Sequence, residues 1–496
     1  VKRLDVLAVH AAFAAVFVAG GVLAASAAAG AQESQIVPGA QSTPPPPGPP
    51  RTVQYPTPVA TTLPNGLRVV AVRVPGSALA AADLTLPGGA VADPDPMPGV
   101  ASLTASMLTR GTAKRSAKEI GFALDALGAT LDARAGADRS EVTTDAVAAR
   151  FPAALALLAE VVRQPAFVPS ELTLAKQRAT SSITLQSGSP SALANLVAQR
   201  VLFSGPFARP VTGTARSVAA IDRDAVVAYH RSHYRPDGAI LTIGGDFAPA
   251  DAFALANTAF GDWAAPPVRA ATPAAAVAAA PRIVVVDQPA SGRTAIVVAH
   301  AAPLRGSADW APAMVSNAVL SGYSGRLNEE IRVKRGLSYG ANSSFVTGPY
   351  SGAILASTLV EHAKAADALE LMLSTISTLG SSAPTDAGEL LARRTSLLGG
   401  IASSVEPIGG LVRTVASNAF AGLPLDALTT GPAALSAVEP AAVTRFAGAS
   451  LATPPAIVLV GDASKFIDAL RKTHPDVLVV KASDLDLTSP ALTRRP

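Results

Sequence analysis

Gly99–Thr112, GVASLTASMLTRGT, is the stretch from which the rest of this chain is read. A glycine opens a run of small residues, Met107-Leu108 follows, and Gly111-Thr112 closes the frame. The run lacks proline and is bracketed by glycines, the punctuation of a short helix. On that helix Ser102 and Ser106 stand four residues apart and share one face. The five positions from Ser102 to Ser106 read Ser, Leu, Thr, Ala, Ser, with no ionisable group among them. A second stretch, Leu327–Tyr339, LNEEIRVKRGLSY, is equally distinctive. There the small-residue loop Ser321–Gly325 leads into a short helix over Arg326–Lys334. Gly336 breaks that helix and hands the chain to a strand through Leu337 and Tyr339.

Outward from these stretches the chain divides into two parts of similar size. Residues 264–281, AAPPVRAATPAAAVAAAP, form an Ala/Pro linker between them. The two parts end alike. Tyr234–Phe247 is an apolar run closed by Gly245-Asp246, and Leu451–Ala463 repeats it with Gly461-Asp462. They also begin alike, with strand patterns at Leu67–Val74 and Ala80–Leu86 in one and at Arg282–Asp287 and Thr294–Ala299 in the other. Helical periodicity fills the middles, at Ala117–Leu127, Ala153–Val162, Ala365–Leu379 and Asp386–Ile401. The expected fold is therefore α+β. It comprises two tandem homologous units, each a mostly antiparallel sheet with helices packed on one face. The units span 58–263 and 282–470, with a C-terminal tail over 471–496.

Composition narrows the function. The 496 residues are 49% hydrophobic, 15% charged and only 4% aromatic, so the core is filled by Ala, Val and Leu. Forty basic against 36 acidic residues, without a basic block, give no electrostatic footprint for nucleic acid. The absence of cysteine excludes disulfides, thiolate metal sites and cysteine catalysis. Lys2 and Arg3 precede an apolar run from Leu7 to Ala29 that ends in Ala29-Gly30-Ala31. This is the pattern of a signal peptide over 1–31, with an uncleaved membrane anchor as the alternative. Export, to the periplasm, is expected. Pro44–Pro50, PPPPGPP, makes 32–57 a Pro-rich tether, and ordered structure is expected to begin near Val59.

The frame around Gly99–Thr112 resembles that of the M16 (pitrilysin, or insulinase-like) metallopeptidases, where it encloses a zinc-binding H-x-x-E-H. Leu63–Val69, LPNGLRV, resembles the family's opening hairpin, with Asn65-Gly66 as the turn. Gly88-Gly89-Ala90, Asp93 and Pro94 sit where the family has Gly-Ser before its zinc helix. Tyr229–Pro236 resembles the segment before the first unit's last strand. The resemblance covers roughly 58 to 470 and implies two M16-type units in tandem.

The zinc machinery it implies is missing here. Two histidines at i and i+4 would hold the metal, with a glutamate between them to deprotonate the bound water. Here those positions are Ser102, Ser106 and Ala105. The family's third ligand, a glutamate about 76 residues after the second histidine, falls on Ser182, and its companion acid on Ala175. Serine hydroxyls do not hold Zn²⁺ usefully, and alanine is no base. The expectation is no metal and no cofactor in this chain. His230 and His233, three residues apart, lack a third ligand and read as packing rings.

The resemblance also implies that an Arg of the 326–334 helix and a Tyr seven residues later act on substrate. Arg332 and Tyr339 fit that spacing; Arg335 is four residues from Tyr339. A guanidinium and a phenol are suitable donors to a tetrahedral oxyanion or a substrate carbonyl. Alternatively, Arg326, Arg332, Lys334 and Arg335 form an exposed polar face answered by Glu329 and Glu330. The functional expectation is a peptidase subunit inactive alone. It would pair as a heterodimer with a zinc-bearing M16 subunit on peptides or unfolded proteins and supply Arg332 and Tyr339. A non-catalytic structural or binding protein of the same fold is the alternative. A serine hydrolase is disfavoured, because no G-x-S-x-G lies at a strand-to-helix elbow.

Overall fold

Alternating and continuous apolar runs become strands of two matching sheets. The computed structural model describes residues 54–265, 274–280 and 282–493. The signal segment, residues 32–53 of the tether and half of the linker lie outside the described residues. In the first half the strands are β1 (Val59–Thr62), β2 (Arg68–Arg73), β3 (Leu79–Pro87), β4 (Thr130–Ala135), β5 (Arg139–Val147), the two-residue β6 (Phe203–Ser204) and β7 (Ile240–Gly245). All but β6 form a six-stranded sheet in the order β1-β2-β7-β3-β5-β4. Only β2 and β7 run parallel. β1 and β2 are joined through Asn65-Gly66, with Gly66 at φ +89° and its N–H donating to the Leu63 carbonyl at 2.9 Å.

The second half repeats the plan. After β8 (Val277–Ala278), which pairs with β6, come β9 (Ile283–Asp287), β10 (Thr294–Ala301), β11 (Ser338–Thr347), β12 (Gly352–Val360), β13 (Ala456–Gly461) and β14 (Leu478–Lys481). The sheet order is β11-β12-β10-β13-β9-β14. The series β2-β7-β3-β5-β4 and β9-β13-β10-β12-β11 have the same connectivity, including the single parallel step between first and last strand. The segment read as a tail over 471–496 contributes β14, which adds in parallel to β9 and extends this sheet.

β7 and β13 are buried at every residue, so both faces of each sheet need cover. One face of each carries helices of its own unit. The other face is covered by a helix from the opposite unit, which the expectation of one helical face did not include. Helix Ile408–Phe420 lays Ile408, Leu411, Val412 and Val415 on Val70, Val72, Ala81 and Ile240 of the first sheet. Helix Pro190–Leu202 lays Leu193, Val197 and Val201 on Val284, Val286, Val297 and Val458 of the second. The approach is close at Gly244, where a Cβ would stand 2.5 Å from Val412 Cγ2. The described residues from Gln54 onward thus belong to one compact unit.

A charged cluster sits on β3 and β5. Asp83, 1% exposed, accepts a hydrogen bond from the Thr85 hydroxyl at 2.8 Å through one oxygen, and its other oxygen has no partner among the described residues. Burial, with Glu141 nearby, lifts its pKa from 3.8 to about 7. The stability linked to this group is full below pH 3.8 and is lost as pH rises through 7. Three pKa units correspond to roughly 4 kcal/mol, at about 1.4 kcal/mol per unit. Asp83→Asn should therefore gain thermal stability over the wild type as pH is raised from 5 to 8. A difference in Tm that stays flat with pH would contradict the assignment.

Candidate functional site

The frame Gly99–Thr112 does fold into a helix, Val100–Met107. Its N-terminal amides are capped from outside. The buried Asp93 carboxylate accepts N–H bonds from Gly99 at 2.5 Å and Ala101 at 2.9 Å, and burial raises its pKa to about 7. Gly99 is obligatory, because its φ is +101° and a Cβ would lie 2.8 Å from the Thr212 carbonyl oxygen. Against this helix lies the longer helix Pro169–Gly188, which carries Ala175 and Ser182. Ser102, Ser106, Ala175 and Ser182 therefore line one cavity of about 270 Å³, as the counted register requires. Ala105 is buried at 1% exposure behind it.

Two further residues of the same cavity escaped the sequence reading. Arg110, at the end of the frame, and Arg178, one turn before Ser182, also line it. Hydroxyl residues (Ser102, Ser106, Ser182 and Thr212) and two guanidinium groups are not a donor set for Zn²⁺, which takes thiolate, imidazole or carboxylate ligands and is repelled by neighbouring cations. Among the described residues no group of three or more His, Asp or Glu could hold a metal ion.

His230 and His233 lie on helix Arg223–His233 and serve packing. His230 stacks on Tyr234 at 4.8 Å, with its Nε2 2.7 Å from the Val162 carbonyl oxygen. His233 stacks on Tyr229 at 4.3 Å. Burial pushes the pKa of both imidazoles down.

The second element is built by the turn from helix to β11. Residues Arg326–Val333 are helical, widening to a π-type turn over Glu329–Val333. Gly336 at φ +59° then reverses the chain into β11. Most of the basic side chains here are committed. Arg326 forks onto Glu389 with Nε at 3.0 Å, Lys334 holds Glu330 at 2.6 Å, and Arg335 also pairs with Glu330. Arg332 differs. Its guanidinium carbon lies 4.7 Å from the centre of the Tyr339 ring and 5.2 Å from that of Tyr323. Among the described residues no carboxylate pairs with it. The polar-face reading thus describes Arg326, Lys334 and Arg335, with Glu389 and Glu330 as the acids, but it does not describe Arg332.

Tyr339 is 83% exposed and Tyr323 77% exposed, an unusual surface placement for two aromatic rings. Tyr323 was missed because it stands alone in a loop of small residues, although an aromatic residue between Gly322 and Ser324 was itself a signal. The loop is firmly held. Buried Asn328 donates to the Tyr323 carbonyl at 2.6 Å, Asn342 accepts from Ser321 and from the Gly322 N–H, and Arg393 donates to the Ser324 hydroxyl at 2.9 Å. A cation flanked by two phenols, preset by such anchors, can donate to a carbonyl or an oxyanion. The fold assembles each cluster separately: among the described residues the lining of the serine-bearing cavity shares no residue with the Arg332, Tyr339 and Tyr323 cluster.

These features fit the comparisons with known proteins. Residues 68–214 match the family model for insulinase (peptidase family M16), and 220–393 match the model for the peptidase M16 inactive domain. The chain belongs to the M16 family. Among its relatives are uncharacterized zinc proteases of Mycobacterium bovis and Mycobacterium tuberculosis, each 27% identical over 70% of this chain and 80% of the relative. Cytochrome b-c1 complex subunit 1 of Caenorhabditis elegans is 27% identical over 42% of this chain and 44% of its own. A peptidase M16 inactive domain structure from Pseudomonas fluorescens shares the fold with a TM-score of 0.75 at 24% identity, covering 82% of this chain and 97% of that one.

Proposed function

We propose that this chain is a zinc-free M16 subunit that pairs with a zinc-bearing M16 subunit and supplies Arg332 and Tyr339 to peptide hydrolysis. The observation that carries the reading is the commitment of the basic residues around β11. Arg326, Lys334 and Arg335 are satisfied by acids, whereas Arg332, without an acidic partner among the described residues, lies between Tyr339 and Tyr323. A residue kept unpaired and oriented at the surface is arranged for a ligand from outside the chain. In the paired enzyme the zinc of the partner would polarise the scissile carbonyl. Arg332 and the Tyr339 hydroxyl would hold the substrate carbonyl and the oxyanion that develops from it. The uncommitted Arg332 and the hydroxyl-lined cavity together describe one half of a divided site. Export through the 1–31 segment would bring both subunits together in the periplasm. No helix among the described residues is long and apolar enough to cross a membrane.

The second reading, a structural protein of M16 fold, draws on the likeness to the nematode cytochrome b-c1 subunit. It makes Arg332 and Tyr339 dispensable. The first check is the purified chain alone. It should hold far less than one zinc per chain by metal analysis and should cleave no peptide. Ser102→His with Ser106→His should not restore activity, because Ala105 and Ser182 still lack the carboxylates. One tightly bound zinc per chain would sink the proposal.

A further inference from the structure

The cavity between helices Val100–Met107 and Pro169–Gly188 is lined by basic and hydroxyl side chains. Its lining includes Arg110 and Arg178 and contains no carboxylate. Among the described residues neither guanidinium has a hydrogen-bond or ion-pair partner. This contrasts with Lys176 on the same helix, whose ammonium donates to the Ala219 carbonyl at 2.8 Å and the Ile221 carbonyl at 2.7 Å. Hydroxyls complete the set. Ser106 donates to the Leu103 carbonyl at 2.7 Å, and Ser182 accepts from Gln186 at 3.2 Å, which leaves the Ser182 proton free. Ser102 has no partner among the described residues. Two uncommitted cations and two free hydroxyl donors facing one volume of about 270 Å³ are complementary to an oxyanion.

We infer that this cavity binds an oxyanion through Arg110 and Arg178, with Ser102 and Ser182 as hydroxyl donors, and that its source is the C-terminal carboxylate of a peptide. The rest of the lining favours that source. Leu103, Ala175, Ala179 and Val218 give the cavity an apolar wall suited to a terminal side chain, which a free inorganic anion does not have. The choice of a peptide rests on the reading that this chain handles peptides. The test uses this chain alone, so its failure leaves the Arg332 and Tyr339 assay untouched.

The experiment is fluorescence anisotropy of a labelled, uncharged octapeptide made with a free C-terminus and with a C-terminal amide, together with competition by inorganic phosphate. The free acid should bind about tenfold tighter or better than the amide, since charge-assisted hydrogen bonds carry the difference. Arg110→Gln and Arg178→Gln should each remove most of that advantage, and added salt should erode it. Both side chains lack partners among the described residues, so both variants should keep the wild-type Tm. If phosphate binds more tightly than the free acid, with the same dependence on both arginines, the oxyanion site stands and its source is a free anion. Equal binding of acid and amide by the wild type, with no phosphate competition, overturns the inference whether or not the variants fold.

Discussion

Arg332→Ala should lower the turnover of the mixed enzyme by about 10²–10³, the usual loss for one oxyanion donor. The physical reason is local. Among the described residues Arg332 has no acidic partner, so its removal leaves no rearranged salt bridge to compensate. Tyr339→Phe keeps the ring face on which the guanidinium rests and removes only the hydroxyl. It therefore separates the phenol's own hydrogen bond from its support of Arg332. A loss confined to kcat places the contact in the transition state, whereas a loss confined to KM makes the pair a substrate clamp. Subunit assembly, followed by size-exclusion chromatography, should be unchanged in both variants. Steady-state peptidase kinetics of the zinc-bearing M16 chain, titrated with each variant, supply the numbers.

Val412→Asp should cost several kcal/mol of folding stability, because it drives a carboxylate into the seam between the two halves. Val412 is 1% exposed, packs against Val70, Val72 and Ile240, and stands over Gly244. A buried, unpaired charge at such a position costs on the order of 3–5 kcal/mol. Since helix Ile408–Phe420 is the second half's contribution to the first sheet, the damage should reach beyond its own unit. Denaturant unfolding followed by circular dichroism should show a lower midpoint or a split transition. An unchanged midpoint would mean that the exchanged helices do not bind the halves together.

Local pattern made most of the strand and helix framework legible. The repeated apolar run before Gly-Asp gave the closing strands β7 and β13, and Ala117–Leu127 appears with the bounds read from its periodicity. The exchanged helices were less accessible. The continuous apolar run of β13 signals burial on both faces, but nothing local says that the cover comes from residues 190–202 of the other half. Helix Pro169–Gly188 was hidden for a different reason. Leu172 is its only buried residue, so it has almost no apolar stripe, and only the count from Ser106 drew attention to Ser182. β14 was read as tail because Leu478–Lys481 is four residues long and mostly exposed at the sheet edge.

The candidate site divided similarly. Which positions correspond to the family's zinc machinery was readable from the resemblance, which leads from Ser102 and Ser106 to Ser182. That Arg110 and Arg178 face the same cavity was not, because two helices far apart in sequence bring them together. The seven-residue spacing already set Arg332 apart from Arg335, but which basic residues are committed emerged only once the acids were placed: Glu330 takes Lys334 and Arg335, and Glu389 takes Arg326.

The most direct measurement of the division of labour is the peptidase rate of a zinc-bearing M16 chain with intact H-x-x-E-H from the same genome, beginning with any in an adjacent reading frame. It is titrated with this chain and, separately, with the Arg332→Ala/Tyr339→Phe double variant. The account predicts a saturable rise with the wild type and almost none with the double variant, although both co-elute with the partner. An equal rise with the double variant, or no rise with the wild type despite co-elution, would contradict it.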